Sequence, residues 1–162
     1  LEATAAFEHY PGADLKMAYG EGLAIGYRWH AATGIAPLVP FGHGLSYAAT
    51  SFSDPSFAHG GEGPRLRLTN HSDRAGVCVP QVYAEPLDRA DIRPLRQLCG
   101  FAKVTLAAGE SRTIDVALDP RAFQFWDEGQ GQFAPIPGRH RLHIGPSAAD
   151  LPQVLDIEPL AS

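Results

Sequence analysis

From residue 64 to the end of the chain, apolar and polar side chains alternate in short runs closed by turn residues, the period-two pattern of half-buried antiparallel strands. Arg65 to Thr69 sets Leu66 and Leu68 on one face and the arginines on the other, and Asn70-His71-Ser72-Asp73 turns the chain. Val77 to Tyr83 predicts the next strand, with Pro80 marking an edge or a bulge. A polar loop from Glu85 to Pro94 follows, then a longer strand from Leu95 to Leu106 with a break allowed at Gly100. Thr113 to Leu118 turns Ile114, Val116 and Leu118 inward. Ala122 to Trp126 and Gln132 to Ala134 flank Asp127-Glu128-Gly129-Gln130-Gly131 as a hairpin, Pro137-Gly138 opens into Arg139 to Ile144, and a last strand is expected near Val154 to Ile157.

The first 47 residues carry no sustained period. Residues 1–22 hold Pro11-Gly12 and Gly20-Glu21-Gly22 and predict an irregular segment laid over another surface. Leu23, Ile25, Tyr27 and Trp29 alternate as in a strand, while Leu23, Gly26 and Tyr27 also fit one turn of helix, so both readings stand. GIAPLVPFGHGLSY, Gly34 to Tyr47, mixes prolines and glycines with large apolar groups, which fixes backbone direction without a regular element. Residues 48–63 read as a first strand near Thr50 to Phe52 and a linker ending in His59-Gly60-Gly61-Glu62-Gly63. The expected organisation is therefore an extension over 1–47, a strand and linker over 48–63, and an all-β sandwich over 64–162, immunoglobulin-like and closest to fibronectin type III.

Composition sharpens this picture. The 17 glycines and 14 prolines among 162 residues exclude a helical bundle or coiled coil. A net charge of −5 is the wrong sign for gathering nucleic acid or anionic lipid. No apolar run approaches the ~20 residues of a membrane span, and no targeting signal is visible, which leaves the compartment open. The first residue is Leu1, which is read as a processed chain or a piece of something larger. Cys78 and Cys99 are too few for a disulfide scaffold and lack the partners of a zinc site; they read as two core thiols or, on neighbouring strands, as one bridge.

Several strings are more specific. YGEGLAIGYRWH (Tyr19 to His30) and PLVPFGHGLSY (Pro37 to Tyr47) resemble the end of the α/β/α sandwich domain in glycoside hydrolase family 3, the β-glucosidase family. TNHSDRAG, QVY, RPLRQLCGFAKVTLAAGES and FQFWDE followed by Pro137-Gly138 resemble the fibronectin III-like domain of the same enzymes, in the same order. Cys78, Cys99 and Pro80 depart locally from that pattern. The resemblance implies a retaining mechanism in the parent, with an Asp nucleophile on a barrel and a Glu acid/base that precedes this stretch, two carboxyl groups about 5–5.5 Å apart. Neither position maps onto a residue here: Ser53-Asp54-Pro55 stands in the wrong domain with the wrong neighbour. The chain is thus expected to be a structural module without catalytic residues or cofactor. Its docking contacts to the remaining domains would come from Tyr19, Glu21, Tyr27, Arg28, Trp29, Phe41, His43 and Tyr47. The loop from Glu85 to Pro94 would lend itself to the rim of a cleft that binds a β-glycoside or oligosaccharide. Deprived of its neighbours, the extension should expose an apolar patch and support a homodimer.

Other candidate sites have plainer readings. Asp127 and Glu128 are adjacent and point to opposite faces of a strand, which suits a solvated hairpin better than an acid/base pair. His140 and His143 likewise fall on opposite faces, against a shared metal. Ser46 and His43 supply residue types of an ester or lactone hydrolase but lack the G-x-S-x-G elbow. Arg28 reads as a clamp on carbonyls or a carboxylate. Trp29, Trp126 and Tyr83 are the aromatics available for stacking sugars, with Trp126 inside a core-like pattern. A stand-alone glycan- or protein-binding module is the alternative function.

Overall fold

The computed structural model describes residues 4–7, 9–58, 61–88 and 95–158. Two antiparallel sheets face each other. One joins β1 (Thr50–Phe57), β2 (Pro64–Asn70) and β7 (Ser111–Asp115) in the order β1-β2-β7. The other joins β11 (Gln153–Ile157), β10 (His140–Gly145), β4 (Gln81–Pro86) and β5 (Gln97–Phe101) in the order β11-β10-β4-β5. Two ribbons complete the set: β3 (Gly76–Cys78) with β6 (Val104–Leu106), and β8 (Gln124–Asp127) with β9 (Gln132–Pro135). The architecture is the expected all-β sandwich.

The alternation builds the core directly. Leu66 and Leu68 of β2 point at Val82 and Ala84 of β4 and at Leu142 and Ile144 of β10, and Leu66, Leu68, Val82, Leu142 and Ile144 are fully buried. Residues Phe52, Leu106, Val116 and Phe123 fill the ends. Cys78 and Cys99 are both buried free thiols within this cluster, so the bridge entertained from their spacing is not formed. Each acts as a small apolar side chain; burial pushes the Cys99 thiol from 9.0 up to about 12, and its Sγ donates to the Val82 carbonyl at 3.3 Å.

Two expected strands are each split. Val77 to Tyr83 becomes β3 and β4, because Pro80 has no N–H to continue a ladder, and its carbonyl instead accepts from Ala102 N at 3.2 Å. Leu95 to Leu106 becomes β5, paired with β4, and β6, paired with β3. The chain changes partner after Phe101 rather than at Gly100. Gly100 serves a different need: the ladder slips between Val82 and Tyr83, and a Cβ at Gly100 would stand 2.5 Å from the Ala117 carbonyl oxygen. Strand β1 runs to Phe57, five residues beyond the Thr50 to Phe52 expected, and pairs with β2 throughout, so residues 50–57 are part of the sandwich. A bulge between Ser53 and Ser56, with Asp54 at φ 54°, separates its halves.

The end of β2 is locked by one buried side chain. Asn70 Nδ2 donates to the carbonyls of Arg74 and Ala107, both at 2.8 Å, and its Oδ1 accepts from Ser72 N at 3.0 Å. The carboxamide thereby closes the 70–74 turn and ties it to the end of β6. Asn70-His71-Ser72 also fits the N-glycosylation pattern, yet a fully buried Nδ2 held by two carbonyls is no acceptor in the folded chain. Removing the carboxamide leaves buried backbone groups without partners. Asn70→Ala is expected to cost about 2–3 kcal/mol, read as a lower urea midpoint at unchanged slope; a midpoint within error of the parent chain would refute the clamp.

Candidate functional site

The two outer faces of the sandwich differ in chemistry. On the three-stranded sheet the outward positions are Ser51 and Ser53, Arg65, Arg67 and Thr69, and Ser111, Thr113 and Asp115. Thr69 and Ser111 hydrogen-bond at 2.9 Å, and Arg65 holds Asp115 through two bonds of 2.9 and 3.1 Å, keeping that carboxyl below its usual range. This face is made for water. On the four-stranded sheet, β4 turns Gln81, Tyr83 and Glu85 outward, opposite to Val82 and Ala84. Tyr83 is nevertheless only 1 % exposed and Gln81 6 %. A third layer covers them.

That layer is the segment 27–42. Tyr27 stands edge-on to Tyr83 with centroids 5.4 Å apart, and its hydroxyl accepts from Leu98 N of β5 at 2.9 Å. Phe41 packs on Tyr27 at 5.6 Å, and its carbonyl accepts from Ala148 N at 2.9 Å. Gly42 then passes directly over the Gln81 carboxamide, at φ +84°, where a Cβ would overlap that side chain. Beneath the cap, Tyr83 Oη donates to Gln81 Oε1 at 2.6 Å, and burial drives the Tyr83 phenol well above its usual pKa of 10.

The cap is shaped by glycine. The stretch open to strand or helix is a helix, α1 (Tyr27–Thr33). Gly26 at φ 55° precedes it, and Gly34 at φ 70° ends it with its N–H on the His30 carbonyl. Trp29 lies edge-on to His30 at 5.1 Å, and His30 Nδ1 is 2.8 Å from the Ile35 carbonyl. From Gly34 to Tyr47 no regular element forms.

Within the cap and on either side of it, many apolar side chains are left largely uncovered among the described residues. Leu15, Leu38, Leu45 and Tyr47 are almost wholly exposed, and Tyr10, Tyr19, Leu23, Ile25, Val39 and Phe41 are more than half exposed. Leu15 is held at the tip of a tight 13–16 turn by positive φ at Asp14 and Leu15. Phe101, at the end of β5 opposite Gln81, extends the same surface. Glu21 Oε2 and Arg28 Nε are buried atoms without a hydrogen-bond partner among the described residues, and the Arg28 guanidinium stands 5.8 Å from the centre of the Tyr27 ring. Oppositely charged groups left open beside a greasy surface fit an unfinished interface.

The remaining candidates assemble no chemistry. Ser46 Oγ accepts from Ala48 N at 3.2 Å, His43 N donates to the Pro40 carbonyl, and no hydrogen bond joins Ser46 to His43. Both line a groove of about 870 Å³ with Arg74, Cys78 and Ser147. Asp127 accepts from Gln130 N at 3.1 Å and closes the β8–β9 turn, with Glu128 exposed. His140 is buried beside Phe123, centroids 5.1 Å apart, whereas His143 pairs with Glu85 at 2.6 Å on the opposite face. Among the described residues no group of three His, Cys, Asp or Glu could hold a metal, and no helix is long and apolar enough to cross a membrane. Residues 89–94 of the expected rim loop lie outside the described residues; of its start, Asp88 Oδ2 accepts from Arg139 N at 2.9 Å. Trp126 is not core: it is 54 % exposed. Sequence reasoning missed Gln81 and Phe101 as parts of this surface, read Gly42 as a close backbone approach to a neighbouring domain rather than to Gln81 of this one, and weighed Tyr83 only as a stacking platform. The one available signal was QVY, where Tyr83 falls on the outward register.

A fibronectin type III-like sandwich with a fixed third layer and an unfinished apolar border is the build of an accessory domain. The Fn3-like family, the fibronectin type III-like domain, matches residues 78–148. The chain is 35 % identical over 153 residues to an exo-α-(1→6)-L-arabinopyranosidase of Bifidobacterium breve, covering 92 % of this chain and 20 % of that protein. It is 30 % identical over 148 residues to the β-glucosidase BoGH3A of Bacteroides ovatus, covering 88 % and 20 %. Among solved structures it superposes on DesR, a β-glucosidase from Streptomyces venezuelae in complex with D-glucose, with TM-score 0.85 and 35 % identity over 94 % of this chain and 20 % of that one. It also superposes on the family 3 β-glucosidase of Bifidobacterium adolescentis, with TM-score 0.86 and 34 % identity over 96 % and 24 %. The chain belongs to glycoside hydrolase family 3, as the C-terminal part that carries the fibronectin type III-like domain. It spans about one fifth of the length of the relatives it matches.

The cap depends on the backbone reaching Gln81 at Gly42. Gly42→Ala should lift the segment off the sheet while leaving the sandwich folded. The expected result is faster proteolytic cleavage within 27–42 at unchanged far-ultraviolet circular dichroism; equal cleavage rates would contradict it.

Proposed function

We propose that this chain is the accessory module of a retaining family 3 β-glycosidase and contributes structure rather than chemistry. The observation that carries the reading is the contrast between the hydroxyl-and-arginine face of the β1-β2-β7 sheet and the exposed apolar border around the cap. The first faces water and the second receives the other domains. Tyr19, Glu21, Tyr27, Arg28, Trp29, Phe41, His43 and Tyr47 form the docking set, Tyr27 and Phe41 by fixing the cap, Tyr19 and Tyr47 by projecting from it. Glu21 and Arg28 find their partners across the joint. Residues 1–47 act as the joint itself and the following strands as the brace.

The nucleophile and the acid/base lie in the four fifths of the parent outside this chain, and the β-glycoside or oligosaccharide undergoing hydrolysis meets the module only at the rim of the parent cleft. The module does not set the sugar preference. Relatives named for α-L-arabinopyranosides and for β-glucosides match it at similar identity, 35–38 %, which supports a choice of glycone made in other domains. Released from its neighbours, the chain pairs with a second copy through the same apolar border. The alternative hydrolase on Ser46 and His43 has no hydrogen bond to support it.

The experiment is direct. The purified chain should release no nitrophenol from aryl β-glucosides, and light scattering should show a mass rising with concentration toward the dimer. Replacing Leu45 and Tyr47 by Ser should return it to a monomer. Turnover of the aryl glycoside would overturn the accessory reading, and a monomer at all concentrations would overturn the apolar border as an interface.

A further inference from the structure

The β8–β9 ribbon belongs to neither main sheet and shares no ladder with them. It is anchored from below through the short 3-10 helix Pro120–Phe123, whose Asp119 cap accepts from Arg121 N at 2.9 Å, and through Ile136 N on the Phe123 carbonyl at 2.8 Å. Its register sets Trp126 directly opposite Phe133 and Gln124 opposite Pro135, so these four side chains share one face. Phe125 and Ala134 take the other face and are partly buried. Trp126 and Phe133 are 54 % and 63 % exposed, with centroids 5.2 Å apart and planes at 76°. The two rings make a floor and a wall.

We propose that this notch binds a neutral pyranose ring of a β-linked glucan or gluco-oligosaccharide. Binding there goes beyond the docking role and uses none of the docking residues.

Three features select that occupant. The area is too small for a protein: two aromatic side chains bury at most roughly 150–250 Å² each, against the roughly 800 Å² per partner of a specific protein interface. It is the size of one or two sugar rings. The face carries no charged group, since Gln124, Trp126, Phe133 and Pro135 are all neutral, which suits a neutral ligand and leaves nothing to attract a nucleotide or a lipid headgroup. A β-glucopyranose presents axial C–H bonds on each ring face, slightly positive hydrogens that settle on the negative face of an indole. Finally, Gln124 shares the face with the two rings, and its carboxamide offers a donor and an acceptor to equatorial hydroxyls. The ribbon would hold an incoming polymer beside an enzyme that works on its ends.

The test is affinity electrophoresis of the whole chain through gels containing soluble mixed-linkage β-glucan, with titration by cellotetraose. In a Trp29→Phe background Trp126 is the sole indole, so its emission should change saturably, with half-saturation in the millimolar range or below. Trp126→Ala should abolish gel retardation, Phe133→Ala should weaken it at least 5-fold, and Trp126→Tyr should restore it. All three should keep the far-ultraviolet circular dichroism of the parent chain, because the ribbon lies outside both main sheets. No retardation of the parent chain, or equal retardation of Trp126→Ala, would overturn the proposal. So would a change of oligomeric state in Trp126→Ala, which would make the rings a self-association surface. Each of these failures leaves the docking role intact, since that role predicts a mass and an absence of turnover rather than glucan binding.

Discussion

A two-layer sandwich normally leaves the outer face of each sheet to water, and β4 breaks that rule by placing Tyr83 and Gln81 outward. The arrangement holds only because Tyr27 packs edge-on against Tyr83 and accepts the Leu98 N–H. Remove that contact and a buried phenol, a buried carboxamide and the partner of a strand amide all lose their surroundings at once. The same contact seats the rest of the segment. With Tyr27 in place, Phe41 stacks on it, and Gly42 brings the backbone down onto Gln81. The extension is therefore a third layer of the domain as far as Gly42 and an unfinished surface on either side.

This division gives the module a direction. Hydroxyls and the Arg65–Asp115 pair mark the side that stays wet, and Arg139 just before β10 with Arg141 and His143 on it, each facing an acid, reinforces the far strands. Arg139 faces Asp88, Arg141 faces Asp156 at 2.7 Å, and His143 faces Glu85. The exposed arginine pairs add little stability singly, yet they penalise slipped register by bringing like charges together. The apolar projections from Leu15 to Tyr47 mark the opposite requirement. A brace is useful only if it is rigid where it carries load and adhesive where it meets its neighbour. In the proposed role the cap supplies the first property and the exposed border the second.

The sandwich was legible because inward and outward positions alternate cleanly in Arg65 to Thr69, Thr113 to Leu118 and Arg139 to Ile144, and period-two burial is a local property. The splitting of the two longer strands was half legible: Pro80 announced a break, whereas the change of partner after Phe101 depends on which strand lies alongside. The cap was not legible beyond a shaped loop. A seven-residue helix between two glycines carries too little periodicity to separate it from a strand, and the burial of Tyr83 is set by a contact 56 positions away. Trp126 misled for a related reason: FQFWDE gathers Phe123, Phe125 and Trp126 within four positions, and only the ribbon's separation from both sheets decides which ring faces out. The docking residues were named from the family resemblance. Local pattern alone gave an apolar segment without a partner.

Amide hydrogen exchange of the isolated chain, read by mass spectrometry of peptides, bears most directly on the third layer. Peptides covering 27–42 and the amide of Leu98 should exchange on the slow scale of β2, β4 and β10, while peptides covering 10–25 and 43–47 exchange within seconds. Rapid exchange throughout 27–42 with the strands still protected would mean that the segment is not part of the domain, and the account would fail.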